Sequence, residues 1–297
     1  MEIVEIHREE QLQQALALLN EGFPQATFDW SIAFKAPPGT FGHGVLLMVE
    51  GEPQGGLLCF EKTETINGRE RKIVNMSSWY VREKYRRYLI WMVRHLTADP
   101  EIIFTACTPS RSVAAIGNRI GFRHVSTGSI ASLPFLNGFR GASGIKVEPF
   151  EASLFDSALQ KRVADHSNER TISLMLRREE SIAVVILVKG LDIFQLPAAR
   201  LLYTSDFSLL RNALVDIHYH LLRKHGVIGI YLPRFASLSG LKSAQSPDSG
   251  PSIIMKGDIQ DEDVNLLYTE LHYLPVTRRR PMRRIKRAIA RLCPSFN

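Results

Sequence analysis

Residues 73–96 read Ile-Val-Asn-Met-Ser-Ser-Trp-Tyr-Val-Arg-Glu-Lys-Tyr-Arg-Arg-Tyr-Leu-Ile-Trp-Met-Val-Arg-His-Leu. Loose alternation of β-branched and aromatic residues predicts a strand ending at Val81. Leu89, Met92, Val93 and Leu96 then fall at i, i+3, i+4 and i+7, the apolar stripe of an amphipathic helix. A basic turn, residues 82–87, lies between them. A strand feeding a helix in this way leaves unpaired N–H groups at the helix start. Those donors and the helix dipole attract phosphate. Arg86 and Arg87 add positive charge at the same place; a solvated basic turn is the competing reading.

Outward from this stretch, residues 2–6 alternate and predict a first strand. Leu12, Ala15, Leu16 and Leu19 share one helical face, and Phe23-Pro24 ends that helix. Residues 45–49 and 56–60 predict two strands joined around Glu50-Gly51-Glu52-Pro53, and Asn67-Gly68 marks a further hairpin turn. Residues 101–107 form a strand in this reading. Thr108-Pro109 supplies a cap and a first-turn proline for a helix lined by Val113, Ile116 and Ile120. That helix ends at Gly121-Phe122, and a strand near residues 124–130 follows.

Val81, Arg82, Glu83, Lys84, Tyr85 and Arg86, the order of elements around them and the Gly121-Phe122 ending resemble the GNAT superfamily, the acyl-CoA-dependent N-acyltransferases. The resemblance covers residues 1–135. It implies a mixed α/β sheet and acetyl-CoA or another acyl-CoA as the acyl donor. The donor would lie against Tyr80 and Val81, with its pyrophosphate over Arg86, Arg87, Tyr88 and Leu89. The chain departs from the family's Arg/Gln-x-x-Gly-x-Gly/Ala loop. Arg86 fits its first position, but Leu89 and Trp91 stand where small residues let the backbone approach the phosphates. The family's carboxylate in the central strand is replaced around Ser77 and Ser78. Gly117 stands where many relatives place a proton-donating tyrosine.

The second half repeats the first in outline. Residues 131–150 carry three glycines and two prolines and read as a linker. Residues 154–165 predict a helix, and residues 173–176, 182–188 and 200–205 predict strands. Asp206 caps a helix striped by Leu210, Ala213, Leu214, Ile217 and Leu221; Gly226 stops it, and a strand over residues 227–232 follows. The five serines of residues 236–250 predict a mobile loop. The fold class is therefore α/β: two GNAT-like mixed sheets flanked by helices, plus a basic C-terminal helix. The domains are 1–135, a linker at 136–146, a divergent second unit at 147–275 and a tail at 276–297.

At 297 residues, with 45% hydrophobic and 23% charged residues, the chain suits two globular units. No apolar run reaches membrane-spanning length, and the acidic start differs from a signal peptide. Cys59, Cys107 and Cys293 are scattered and odd in number, which points to a reducing, cytoplasmic setting. The net charge is +7, but the tail alone carries eight basic residues and no acid, leaving −1 for the remainder. That balance argues against a nucleic-acid face. Met282, Ile285, Ile289 and Leu292 form one apolar stripe among the basic residues of 278–292. This is the pattern of a helix lying on an anionic membrane surface, peripheral to its inner face; a disordered basic terminus and a nucleic-acid arm are the competing readings.

Glu61, closing the third strand, and Tyr80, beside the strand end, are the candidate proton-transfer residues. A solvated charge beside Lys62 and a core aromatic are the respective alternatives. Thr108 and Ser110 are candidates for holding phosphate or pantetheine, against simple helix capping. Cys107 lacks a visible activating base, and His218 and His220 lack the i, i+4 spacing of a metal pair; no metal is implied. The resemblance gives two functions. One is an N-acyltransferase acting on a small-molecule amine, such as an amino sugar or an envelope polysaccharide intermediate. The other is a catalytically inactive binding or scaffolding protein at the membrane surface.

Overall fold

The computed structural model describes residues 1–26, 29–31, 44–66, 68–137, 143–245 and 252–274. The basic tail lies outside them, and with it the predicted membrane helix.

In the first half come β1 (Glu2–Glu5), α1 (Glu9–Gly22), β2 (Gly44–Val49), β3 (Glu52–Ile66) and β4 (Arg69–Val81). A 3-10 helix (Glu83–Tyr88), α2 (Leu89–Leu96), β5 (Ile103–Ala106), α3 (Arg111–Arg119), β6 (Arg123–Ser126) and β7 (Ser129–Ser132) follow. The second half has β8 (Lys146–Pro149), α4 (Ser157–Asp165), β9 (Thr171–Arg178), β10 (Ser181–Ile193) and β11 (Leu196–Thr204). Then come α5 (Phe207–His225), β12 (Gly229–Pro233), β13 (Ile253–Lys256) and the short α6 (Glu270–Tyr273).

The first sheet runs β1-β2-β3-β4-β5-β13-β6 and the second β7-β12-β11-β10-β9-β8. Among the described residues each contains one parallel pair, β4 with β5 and β11 with β12. A helical crossover joins each pair, which is what parallel neighbours require. The strand–helix–strand repeat seen in the sequence is this shared unit. Asp206 accepts from the Leu209 N–H at the start of α5, and Gly226 ends it at φ 63°. Only a residue without a side chain adopts that left-handed stop at no steric cost.

The sheets do not divide at the 136–146 linker. β7 leaves the first half to join β12, and β13 returns from the second half to pair with both β5 and β6. Glycine and proline mark where the chain turns, not which sheet receives a strand. The serine-rich 236–250 loop is also corrected in part. Leu238 is buried, and Ser243 accepts from the Ala131 N–H at 3.0 Å, so its first part is packed.

The core sits on both faces of both sheets. α1 covers one face of the first sheet through Leu12, Leu16 and Leu19, which meet Leu46, Leu58 and Phe60. α2 and α3 cover the other through Met92, Val93 and Ala114. In β10, Ala183, Val185 and Leu187 face α5. The alternate residues Val184, Ile186 and Val188 share a cluster with Ile73 and Ile103 of the first sheet. A strand buried on both faces reads as the uninterrupted apolar run seen at 182–188. Residues 264–271 thread through that shared cluster and join the halves.

Candidate active site

β4 and β5 pair only at Ile73–Ile103, Val74–Phe104 and Asn75–Thr105, and then diverge. Beyond Asn75, β4 keeps its partner β3 but is bulged. Leu57 lies opposite Trp79 and Cys59 opposite Met76, so Ser77 and Ser78 together oppose Leu58. A two-for-one bulge bends the strand and re-aims its side chains. The divergence opens a cavity of about 340 Å³, whose lining includes Phe23, Trp30, Trp79, Ala106, Thr108, Ser110 and Val113. Among the described residues, no side chain in its lining is formally charged.

The charge lies one layer behind. Glu270, at the start of α6, is buried; its Oε1 accepts from the Thr108 hydroxyl at 2.6 Å and its Oε2 from the Asn75 amide at 2.8 Å. The Thr105 hydroxyl donates to Asn75 Oδ1 at 3.2 Å and holds that amide in place. Burial pushes the Glu270 carboxyl above the usual carboxylate range, against the opposing pull of the Thr108 and Asn75 hydrogen bonds. A carboxyl poised in this way, linked by one hydroxyl to an apolar cleft at a strand splay, can receive a proton released in that cleft.

Thr108 and Ser110 both line the cleft, but their roles differ. Ser110 is the cap of α3, accepting from the Val113 N–H at 3.3 Å, whereas Thr108 is spent on Glu270. The predicted capping by Thr108 is therefore corrected; helix starts allow a serine two residues on to take that place. Tyr80 is turned to the α1 side. Its hydroxyl donates to Glu21 at 3.2 Å, and its ring lies where a Cβ on Gly22 would be 2.2 Å away. Glu61 pairs with Lys72 at 2.7 Å. Neither Glu61 nor Tyr80 lines the cleft. Asn75, Thr105 and Glu270 were missed. The signal is weak: only Thr105 is a single polar residue in an apolar strand, whereas Asn75 stands near Ser77 and Ser78 and Glu270 beside Thr269 and His272.

The basic turn is also corrected. Residues 83–88 form a 3-10 helix that runs straight into α2, so Tyr85 N–H donates to Arg82 O and Leu89 N–H to Arg86 O. Donors expected to be free at the helix start are used within it. Val81 is buried against Gly55. Tyr88 and Leu89 pack partly against the α2 core. Arg87 lies over the Tyr88 ring at 4.8 Å, and Arg86 is exposed. Arg82, at the start of the turn, is held to Glu21 at 2.7 Å.

The second splay is filled differently. β11 and β12 pair at Ala198–Gly229, Ala199–Ile230 and Arg200–Tyr231 and then part. There the Leu266 N–H donates to Leu202 O at 2.8 Å, so the 264–266 segment occupies part of the gap. The remaining space, about 290 Å³, borders Arg162 and Glu64. Glu64 pairs with Lys62 at 3.0 Å and with Arg162 at 3.2 Å. Burial opposes its ionisation, but the two cations outweigh it and hold the carboxyl below its usual range.

Burial pushes the Cys107 thiol up, so it is no ready nucleophile. His218 is buried and satisfied, with Nδ1 2.9 Å from Ile228 O and Nε2 2.9 Å from Ser132 Oγ. Among the described residues no His/Cys/Asp/Glu group could hold a metal. Among them, too, no helix is long and apolar enough to cross a membrane.

No family model matches the chain. No curated protein matches it either. Solved structures do. A GCN5-related N-acetyltransferase from Anabaena variabilis superposes with a TM-score of 0.56 at 12% identity, covering 86% of this chain and 72% of that one. A probable N-acyltransferase from Enterococcus faecalis gives 0.51 at 8%, with coverage of 86% and 72%. A glucosamine N-acetyltransferase region of a fungal multi-domain β-N-acetylglucosaminidase gives 0.51 at 10%, with coverage of 86% and 38%. With its bulged central strand, its splayed parallel pair and these neighbours, the chain carries the fold of the GCN5-related N-acetyltransferases, in a divergent form with two mixed sheets.

Proposed function

We propose that the chain is an acyl-CoA-dependent N-acyltransferase whose reaction centre is the β4/β5 cleft. The observation that carries this is the buried Glu270 carboxylate linked through Thr108 to an open splay, while the second splay is partly filled. The acyl-CoA thioester enters the cleft, with its pyrophosphate toward Arg86–Leu89. An amine nitrogen attacks the thioester carbonyl, the C–N bond forms and the C–S bond breaks. The amine proton passes to the Thr108 oxygen as the Thr108 proton passes to Glu270; the leaving thiolate takes a proton back from Glu270 through Thr108, which restores the carboxylate. Glu270 takes the part first assigned to Glu61 or Tyr80. The uncharged aromatic wall suits a neutral amine.

The fungal neighbour acts on glucosamine, which makes an amino sugar the first acceptor to assay. The test is thiol release from acetyl-CoA in the presence of glucosamine and of simple aliphatic and aromatic amines. Amine-dependent release is expected. Glu270→Gln should lower kcat by about 10²–10⁴-fold and flatten the pH profile, because a positioned proton acceptor contributes that much. Amine-dependent release that Glu270→Gln leaves intact would remove Glu270 from the mechanism.

A second reading, a binding protein without catalysis, is favoured by one observation: Leu89 and the 3-10 helix close off the phosphate-facing donors. Acyl-CoA that binds, with no thiol released under any amine, would establish it.

A further inference from the structure

Tyr268 has a backbone φ of 51°. Among the described residues, the other non-glycine residues with positive φ are Glu50, Glu179, Phe194 and Gln195. Those four lie in turns between hairpin strands, where such angles are ordinary. Tyr268 joins no hairpin; it stands two residues before Glu270, in the segment that crosses between the halves. A bulky residue stays in the left-handed region only where its surroundings hold it there.

His166 supplies that hold. It caps the end of α4 and is fully buried. Its Nδ1 lies 2.7 Å from the Arg162 carbonyl oxygen; a carbonyl only accepts, so Nδ1 carries the proton. Nε2 is then the lone pair, and it accepts from the Tyr268 N–H at 3.2 Å. The Tyr268 ring meets the imidazole edge-on at 4.3 Å, and its hydroxyl donates to Asp165 at 2.8 Å. Lys62 of β3, Arg162 of α4, and His272 and Tyr273 of α6 are the other ionisable groups around the imidazole. Burial pulls His166 down to about 4, so it is neutral near pH 7 and keeps its lone pair.

With only four residues, α6 makes too few bonds to fix its own direction. Thr269 caps it, accepting from the Leu271 N–H at 3.3 Å, and Glu270 is its first residue. The backbone angles of Tyr268 therefore set where Glu270 goes. We propose that His166 is a positioning residue for the reaction: by accepting the Tyr268 N–H it locks the left-handed turn that delivers the Glu270 carboxyl to Asn75 and Thr108. This rests on the reading of Glu270 as the proton acceptor. It makes the end of α4, in the second half, a support for the cleft in the first.

The test compares His166→Gln with His166→Met in the full chain. The two side chains are close in size and shape, but only glutamine carries a strong acceptor oxygen. Glu270 is followed by carbon-13 NMR of glutamate-labelled protein, its carboxyl signal assigned by its loss in Glu270→Gln. In the parent it should titrate above the usual carboxylate range, with the Arg200 guanidinium and the Cys107 thiol as its ionisable neighbours. His166→Gln should keep that titration. His166→Met should return it to the usual range and lower kcat for amine-dependent thiol release about 10–100-fold, at an unchanged KM for acetyl-CoA. Equal titrations in the two variants would overturn the proposal, since packing alone would then account for His166. If His166→Met does not fold, the parent and His166→Gln decide. A nitrogen–nitrogen coupling across the Tyr268–His166 hydrogen bond is expected in the parent; its absence, or a displaced titration in His166→Gln, would overturn the proposal. Thiol release that survives Glu270→Gln would refute only the acceptor role of Glu270, and the carboxyl titration would still decide whether His166 places it.

Discussion

Three histidines show how burial sets a residue's chemistry. Burial pulls His166 and His218 down to about 4 and His272 to about 3. Each is held by neutral partners: Tyr268 N–H donates to His166 Nε2 at 3.2 Å, and Asn168 Nδ2 lies 3.0 Å from His272 Nε2. Between the unfolded value near 6.5 and these folded values, the unfolded chain binds more protons. Stability therefore falls as pH falls through that window, and it is unaffected above it. The loss should be on the order of 1–2 kcal/mol per histidine between pH 7 and pH 5. Glu270, with its raised value, works in the opposite sense, but it is one group against three. Urea midpoints at pH 7, 6 and 5 should drop steadily; an unchanged midpoint would mean that these rings are charged or exposed. None of this was legible in the sequence. His218 read as one of two histidines without metal spacing, and nothing local showed that it is sealed between Ser132 and Ile228.

Elements were more legible than residues, because their signals are local. Periodicity located β4, α2, β10 and α5, and the caps at Asp206 and Gly226 fell as their chemistry required. Where partners are distant in sequence, the reading failed. The 82–87 turn could end in a free helix start or in a 3-10 helix, and packing of Tyr85 and Tyr88 against the α2 core accompanies the second. β13 is four residues long, and its place between β5 and β6 depends on both neighbours. One element contact is tight enough to test. The end of α1 rests on β4 where Gly22 meets the Tyr80 ring. Gly22→Ala would drive the helix end off the strand and should cost about 1–3 kcal/mol, as other overpacking substitutions do. It should also break the Tyr80–Glu21 hydrogen bond. Denaturant unfolding measures the cost; a variant as stable as the parent would mean that α1 shifts freely.

At the scale of the molecule, strand exchange and the 261–274 segment unite the halves. Asp261 bonds Arg123 of the first sheet, Leu266 bonds Leu202 of the second, and Glu270 returns to Asn75 and Thr108. The linker composition at 136–146 suggested a boundary that these contacts cross. Unfolding should therefore be one cooperative event. All three tryptophans, Trp30, Trp79 and Trp91, lie in the first half, so their fluorescence reports that half, whereas far-ultraviolet circular dichroism reports both. Coincident denaturant transitions are expected, and separated ones would show that the halves unfold independently.

The cleft at the β4/β5 splay as the seat of the acyl donor is most directly tested by calorimetric titration of the full chain with acetyl-CoA and longer acyl-CoAs. The parent and Val113→Trp are compared, since a tryptophan at Val113 fills the cleft without touching Glu270. Binding of one acyl-CoA per chain, weakened at least tenfold (about 1.4 kcal/mol) in a folded Val113→Trp variant, is the expected result. No binding of any acyl-CoA, or an affinity unchanged by Val113→Trp, would contradict the assignment of the cleft.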